Sequence, residues 1–205
     1  MGLILVKVVN TAKLTGTAIL AALVIIFDYS LKFSGLKIPF PWMPFLKFDF
    51  TGVPIVVSFL LFGSSSSAIT STVACLGIVL RSGDLVGGVM KGIAEFSTVL
   101  GMALGLRLMG RFNAGSRSTK IVSIVLGVLL RILSMSVWNL VVLPYAYGMP
   151  FGVVVGMLPL LGVFNGIQGT ITTFIGYVLY EAYTRSISTH ESPSLSRTIN
   201  LEEVE

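Results

Sequence analysis

Six near-continuous apolar runs, at about residues 14–32, 53–62, 68–80, 85–108, 118–143 and 159–183, constrain this chain more than any motif in it. A soluble domain carries about a quarter charged residues. Here 11% are charged, 54% are hydrophobic and mean hydropathy is +0.93. Crossing a bilayer takes about 20 residues of helix, or a tilted strand of alternating polarity. The runs do not alternate, so they predict an all-α integral membrane protein with six transmembrane helices. Gly63 with the serines at 64–67 reads as a flexible turn, but two runs are short, which implies that part of 48–52 continues the second and that the serine run begins the third.

Between the first two runs lies LKIPFPWMPFLKFDFTGVP, residues 36–54. Pro39, Pro41 and Pro44 each fix φ and push the preceding residue out of the α region, so this segment must be an ordered loop and not a helix. Trp42, Phe45, Phe48 and Phe50 are interleaved with Lys37, Lys47 and Asp49. That composition suits an aromatic belt at headgroup level or a lid over a pocket. The Gly- and Pro-broken segment 144–158 is expected to form a second outer loop, with Pro159 in the first turn of the sixth helix. The polar tail 185–205 is read as disordered and cytoplasmic, leaving residues 1–184 as one membrane domain.

Basic residues set the orientation. With both termini inside, Lys7, Lys13, Arg107, Arg111, Arg117, Lys120, Arg185 and Arg197 face the cytoplasm, against Lys32, Lys37, Lys47 and Arg81 outside. The positive-inside rule favours this arrangement in a multi-pass cell-membrane protein, and it also explains the net charge of +5 without invoking nucleic acid.

The polar residues within the runs are few. Lys91 and Glu95 are spaced i, i+4 on one helix face and can pair. Arg131, mid-span, costs roughly 2.5 to 3.5 kcal/mol unless it faces protein, and Glu95 is its expected partner. Asp28, one turn from a span's end, reads as a solvated carboxylate. At about 1.5 Å per residue, Lys91, Glu95, Asn139, Asn165 and Gln168 fall roughly 9, 15, 6, 9 and 14 Å below the outer ends of their spans. Five polar groups from three helices in the outer half, under an aromatic loop, outline a pocket open to the outside. The plainer alternative is interhelical hydrogen bonding.

No enzyme constellation competes. No aspartate-rich motif, intramembrane His or phosphate loop is present. Cys75 and His190 are single, so one chain cannot assemble a disulfide or a Cys/His metal site from them, and no cofactor is expected. Ala18 and Ala22, at small-xxx-small spacing, mark a face that another helix can approach closely.

PFLKFDFTGVPIVVSFLLFG (44–63), WNLVVLPYAYGMP (138–150), FNGIQG (164–169) and the AxxxA pattern together resemble the substrate-binding S components of energy-coupling factor (ECF) vitamin transporters, most closely the riboflavin-specific type. The resemblance covers nearly the whole membrane region. It implies six helices and a pocket made by the last three helices and the first outer loop. It implies that Asn139 and Asn165 contact the flavin ring; together with the pocket outlined above, the expected ligand contacts are Trp42, Phe45, Leu46, Lys47 and Asp49 of the loop with Lys91, Glu95, Asn139, Asn165 and Gln168. It further implies riboflavin as the transported ligand, and as partners a transmembrane coupling protein, docked on Ala18 and Ala22, and two cytoplasmic ATPases. The chain departs from that type at Gln168, where a lysine is usual. Another small vitamin, a pantothenate-like molecule included, is the alternative ligand. A proton-coupled carrier or channel using Lys91, Glu95 and Arg131 as a relay is the alternative mechanism, and a purely structural subunit is the third reading.

Overall fold

The computed structural model describes the backbone of residues 2–113 and 116–202, and the side chains of 11–109 and 116–187. Lys7, Arg111, His190 and Arg197 therefore lie outside the described side chains. Six helices follow one another: α1 Gly2–Phe33, α2 Gly52–Phe62, α3 Ser64–Ser82, α4 Leu85–Asn113, α5 Arg117–Tyr147 and α6 Phe151–Glu202. Four contain stretches long and apolar enough to cross a membrane: Thr11–Phe33, Leu85–Met109, Arg117–Tyr147 and Phe151–Ile187. The expectation of six spans is thus met by six helices but only four spans of that kind. At about 1.5 Å per residue the 11 residues of α2 rise only about 16 Å, and α2 is buried from Gly52 to Phe59 instead of facing lipid. α3 is long enough, but its SSSSAITST start lowers its hydropathy. The serine run does begin α3, and the turn shrinks to Gly63, whose φ of 88° suits a residue without Cβ.

Two expected boundaries move. α5 runs through Pro144 to Tyr147 and ends at Gly148, in the left-handed conformation, whose N–H caps Leu143. α6 then starts at Phe151, eight residues before Pro159, with Val153 and Val154 donating to the Pro150 carbonyl at 3.0 and 3.2 Å. The second outer loop is therefore only residues 148–150. Prolines inside membrane helices are tolerated because neighbouring helices and local adjustment re-satisfy the freed carbonyls. Past the expected tail boundary the helix also continues, Glu181 and Arg185 pairing i, i+4 at 3.6 Å across it.

The proline-aromatic loop is ordered, and takes the form of a hairpin. Ile38–Phe40 (β1) pairs antiparallel with Met43–Phe48 (β2), with an irregularity between Pro39 and Phe40. In a two-stranded ribbon both strands are edges, so prolines that lack an N–H cost little there. Phe40 and Met43 turn inward onto Leu143, Val154, Leu161 and Phe164, forming a small core between the hairpin and the start of α6. Phe40, Phe48 and Phe164 make tilted and edge-to-face contacts with centroids 4.9 to 5.9 Å apart. A second core of Ile55, Val56, Phe59, Val99, Met102 and Tyr177 joins α2, α4 and α6.

α4 and α5 pack most closely, and small residues are the cause. A Cβ on Gly101 would meet the α5 backbone at Leu126 and Gly127, and one on Gly105 would meet Ser123. The Gly101-xxx-Gly105 face thus admits the α5 backbone directly, as small residues do where helices associate in lipid. Ala18 and Ala22 of α1 are exposed, on a face left uncovered among the described residues.

Candidate functional site

A cavity of about 580 Å³ opens beneath the hairpin, between α4, α5 and α6. Each wall follows from helical periodicity. Arg131, Met135, Asn139 and Leu143 recur every four residues on the buried face of α5. α6 contributes Leu161, Phe164, Asn165 and Gln168; α4 contributes Gly87, Met90, Lys91 and Ala94. Phe45, Leu46, Lys47 and Asp49 close the hairpin side.

Of the sequence-expected contacts, eight line this cavity: Phe45, Leu46, Lys47, Asp49, Lys91, Asn139, Asn165 and Gln168. Trp42 does not. It stands at the hairpin turn, 66% exposed and edge-on to Phe40 at 5.1 Å. Glu95 is not a lining residue either; it lies behind the wall, between Lys91 and Arg131. Arg131, Met135, Phe164, Tyr147 and Asp84 line the cavity and were not expected to. For Met135 the signal was available, since it lies midway in the four-residue register joining Arg131 to Asn139.

The charged residues form one chain across the hairpin end of the bundle. Arg81 Nε meets Asp28 Oδ2 at 2.7 Å, and Lys37 Nζ meets Asp28 Oδ1 at 2.5 Å and Asp49 Oδ2 at 3.9 Å. Lys91 Nζ lies 2.8 Å from both Asp49 Oδ1 and Glu95 Oε1, and Glu95 Oε2 lies 3.1 Å from Arg131 Nη1. Glu95, 1% exposed, is thus held between two cations, one on each oxygen. Asp28, expected to be solvated, is 3% exposed and doubly paired, because α3 brings Arg81 and the hairpin brings Lys37 to it.

Asp49 is the junction. Burial alone would raise its pKa, but Lys91 and Lys37 beside it, with hydrogen bonds from Lys91 and Thr51, outweigh burial and hold the carboxyl at about 2. Its Oδ1 also accepts from Thr51 N and Oγ1 at 3.2 and 2.7 Å, anchoring the hairpin to the start of α2. Its backbone is clasped by Gln168, whose Nε2 donates to Asp49 O at 2.7 Å while Oε1 accepts from Asp49 N at 3.3 Å. Gln168 Nε2 also reaches Thr172 Oγ1 at 3.3 Å. This changes the reading of that side chain: an amide satisfies a donor and an acceptor of one residue together, which a lysine cannot. Gln168 positions the loop, and its replacement by Lys would leave the Asp49 N–H unpaired and add a cation.

The earlier start of α6 also alters depth. Counting from Phe151 and Tyr147 at about 1.5 Å per residue, Asn165 lies about 21 Å and Asn139 about 12 Å along their helices, so the two amides are not level. Arg131, two turns deeper than Asn139, bonds Asn165 directly, its Nε donating to Oδ1 at 3.3 Å. Asn165 Nδ2 and Asn139 Nδ2 each donate to the carbonyl four residues earlier, at 2.9 and 2.6 Å. The cavity thus has a deep polar end at Arg131 and Asn165 and a shallow one at Asn139, separated by Met135, Leu161 and Phe164.

No family profile matches the sequence, and no curated protein matches it. Among solved structures the chain is similar in fold to the S component of a bacterial ECF transporter, with a TM-score of 0.71 and 24% identity over 87% of this chain and 98% of that one.

Proposed function

We propose that this chain is the substrate-capture subunit of an ECF-type vitamin importer in the cell membrane, binding riboflavin or a related flavin from outside. A membrane coupling protein driven by two cytoplasmic ATPases would then move the vitamin inward. The observation that carries the reading is the cavity of about 580 Å³ roofed by the hairpin, within a fold similar to that of an S component. Its size suits a small molecule. The apolar belt of Met135, Leu161 and Phe164 suits a flat ring, and the polar ends suit the edges and side chain of such a ring. Partners are needed because the sequence has no phosphate-loop motif, and the exposed Ala18 and Ala22 face offers the close-packing surface for one of them.

The charge arrangement favours capture over a proton relay. Among the described residues, the buried charges run from the hairpin end only as far as Arg131 at mid-span, while the opposite half of the bundle buries hydroxyls such as Ser67, Thr70, Ser123 and Thr173. Titration of riboflavin fluorescence with purified protein tests the ligand. Quenching at micromolar protein is expected, and Asn139→Ala or Asn165→Ala should weaken it roughly 5- to 150-fold. No quenching, with a different vitamin bound instead, would discard riboflavin and keep the capture role.

A further inference from the structure

The charge chain does not balance. Arg81, Lys37, Lys91 and Arg131 face Asp28, Asp49 and Glu95, four cations against three anions. Lys47 and Asp84, at the exposed mouth, offset one another. The chain alternates from Arg81 through Asp28, Lys37, Asp49, Lys91 and Glu95 to Arg131, so a cation with a single, shared carboxylate stands at each end, and Arg131 is the one that lines the cavity. Arg131 is 2% exposed. Its Nη1 faces Glu95, Thr98 Oγ1 and the Ala94 carbonyl, and its Nε faces Asn165. Its Nη2 has no partner among the described residues, yet Arg131 lines the cavity. A guanidinium is a fork of five N–H donors with no acceptor, and leaving one arm dry beside an uncompensated charge is costly. That arm is open to an acceptor presented from the cavity.

We propose that Arg131 anchors the ligand at the deep end of the cavity, and that the ligand presents to it an acceptor-only oxygen bearing negative or partial negative charge. The orientation follows. The acceptor end enters first, the apolar middle lies against Met135, Leu161 and Phe164, and donor groups remain for the free Asn139 Oδ1 nearer the mouth. Resting on the flavin reading, this places an imide carbonyl on Arg131. Should the ligand be another vitamin, a carboxylate fills the same place.

The test uses the full chain in detergent, with Arg131→Lys as the variant, because it keeps the charge opposite Glu95 and removes the fork. Thermal unfolding confirms that the variant folds, and Glu95→Gln/Arg131→Gln is the second variant should it not. Riboflavin and its 4-thio analogue, a weaker acceptor, are the flavin probes, and pantothenate is the carboxylate probe. Wild type should prefer riboflavin to the analogue, and Arg131→Lys should bind riboflavin roughly 10- to 100-fold more weakly with that preference gone. A merely structural role for Arg131 would weaken both flavins equally, which would overturn the proposal. So would unchanged affinity of the variant for whichever probe binds wild type. If pantothenate binds in place of riboflavin and is lost in Arg131→Lys, the anchor stands and the flavin reading fails.

Discussion

Glu95→Gln should destabilise the protein more than Arg131→Gln does, and combining them should recover part of the loss. In the wild type the charge chain has four cations and three anions. Removing Glu95 leaves four against two, with Lys91 and Arg131 facing each other across a neutral amide. Removing Arg131 leaves three against three, and Glu95 keeps Lys91 at 2.8 Å. The double variant returns to an excess of one. Breaking a buried pair from one side costs about 3–5 kcal/mol, the expectation for Glu95→Gln. Arg131→Gln should cost about 1–3 kcal/mol, mainly from the unpaired Asn165, Thr98 and Glu95 acceptors. At about 2–4 °C per kcal/mol for a chain of this size, Glu95→Gln should lower the melting temperature by roughly 6–20 °C. Thermal unfolding in detergent, followed by tryptophan fluorescence, reads this directly. Equal losses in the two single variants that simply add in the double would refute the assignment of the excess charge.

Asp49, held at about 2 against an ordinary 3.8, contributes stability that is fully present above pH 3.8 and lost as pH falls through 2. The shift is worth on the order of 2 kcal/mol, so a stability profile from pH 5 to pH 2 should fall steeply in wild type and flatten in Asp49→Asn. Gln168→Ala removes both bonds to the Asp49 backbone and should cost about 2–4 kcal/mol; faster protease cleavage within residues 36–50 would report the loosened hairpin. Gln168→Lys should restore only the donor half, landing between wild type and Ala. Replacing Ala18 and Ala22 with leucine should abolish uptake in cells supplying the partner module while leaving ligand binding by the purified protein unchanged; equal loss of both would show that this face is not the docking surface.

Composition and periodicity were sufficient for the helices, because near-continuous apolar residues have no alternative to intrahelical hydrogen bonding in lipid. The Lys91 and Glu95 pairing was legible for a similar reason: i, i+4 spacing puts them on one face whatever surrounds the helix. A charge amid an apolar run must also find a partner, so Arg131 pointed to Glu95 before any coordinates did, and they lie 3.1 Å apart. Three prolines excluded helix from 36–54, but not how the loop would pair with itself, since the hairpin depends on Phe40 and Met43 finding the α6 surface. Where α6 begins was equally hidden. Pro150 and Pro159 both suit a first turn, and only packing of Val154 under the hairpin selects the earlier one. That choice set the depths of Asn165 and Gln168, and with them which of the cavity-lining amides also holds the loop. Asp28 with Arg81, 53 residues apart, and Gln168 with Asp49, 119 apart, are pairings that tertiary structure alone decided. Local sequence encodes which face of a helix must leave lipid, whereas the partner it meets there is fixed by how the helices close on one another.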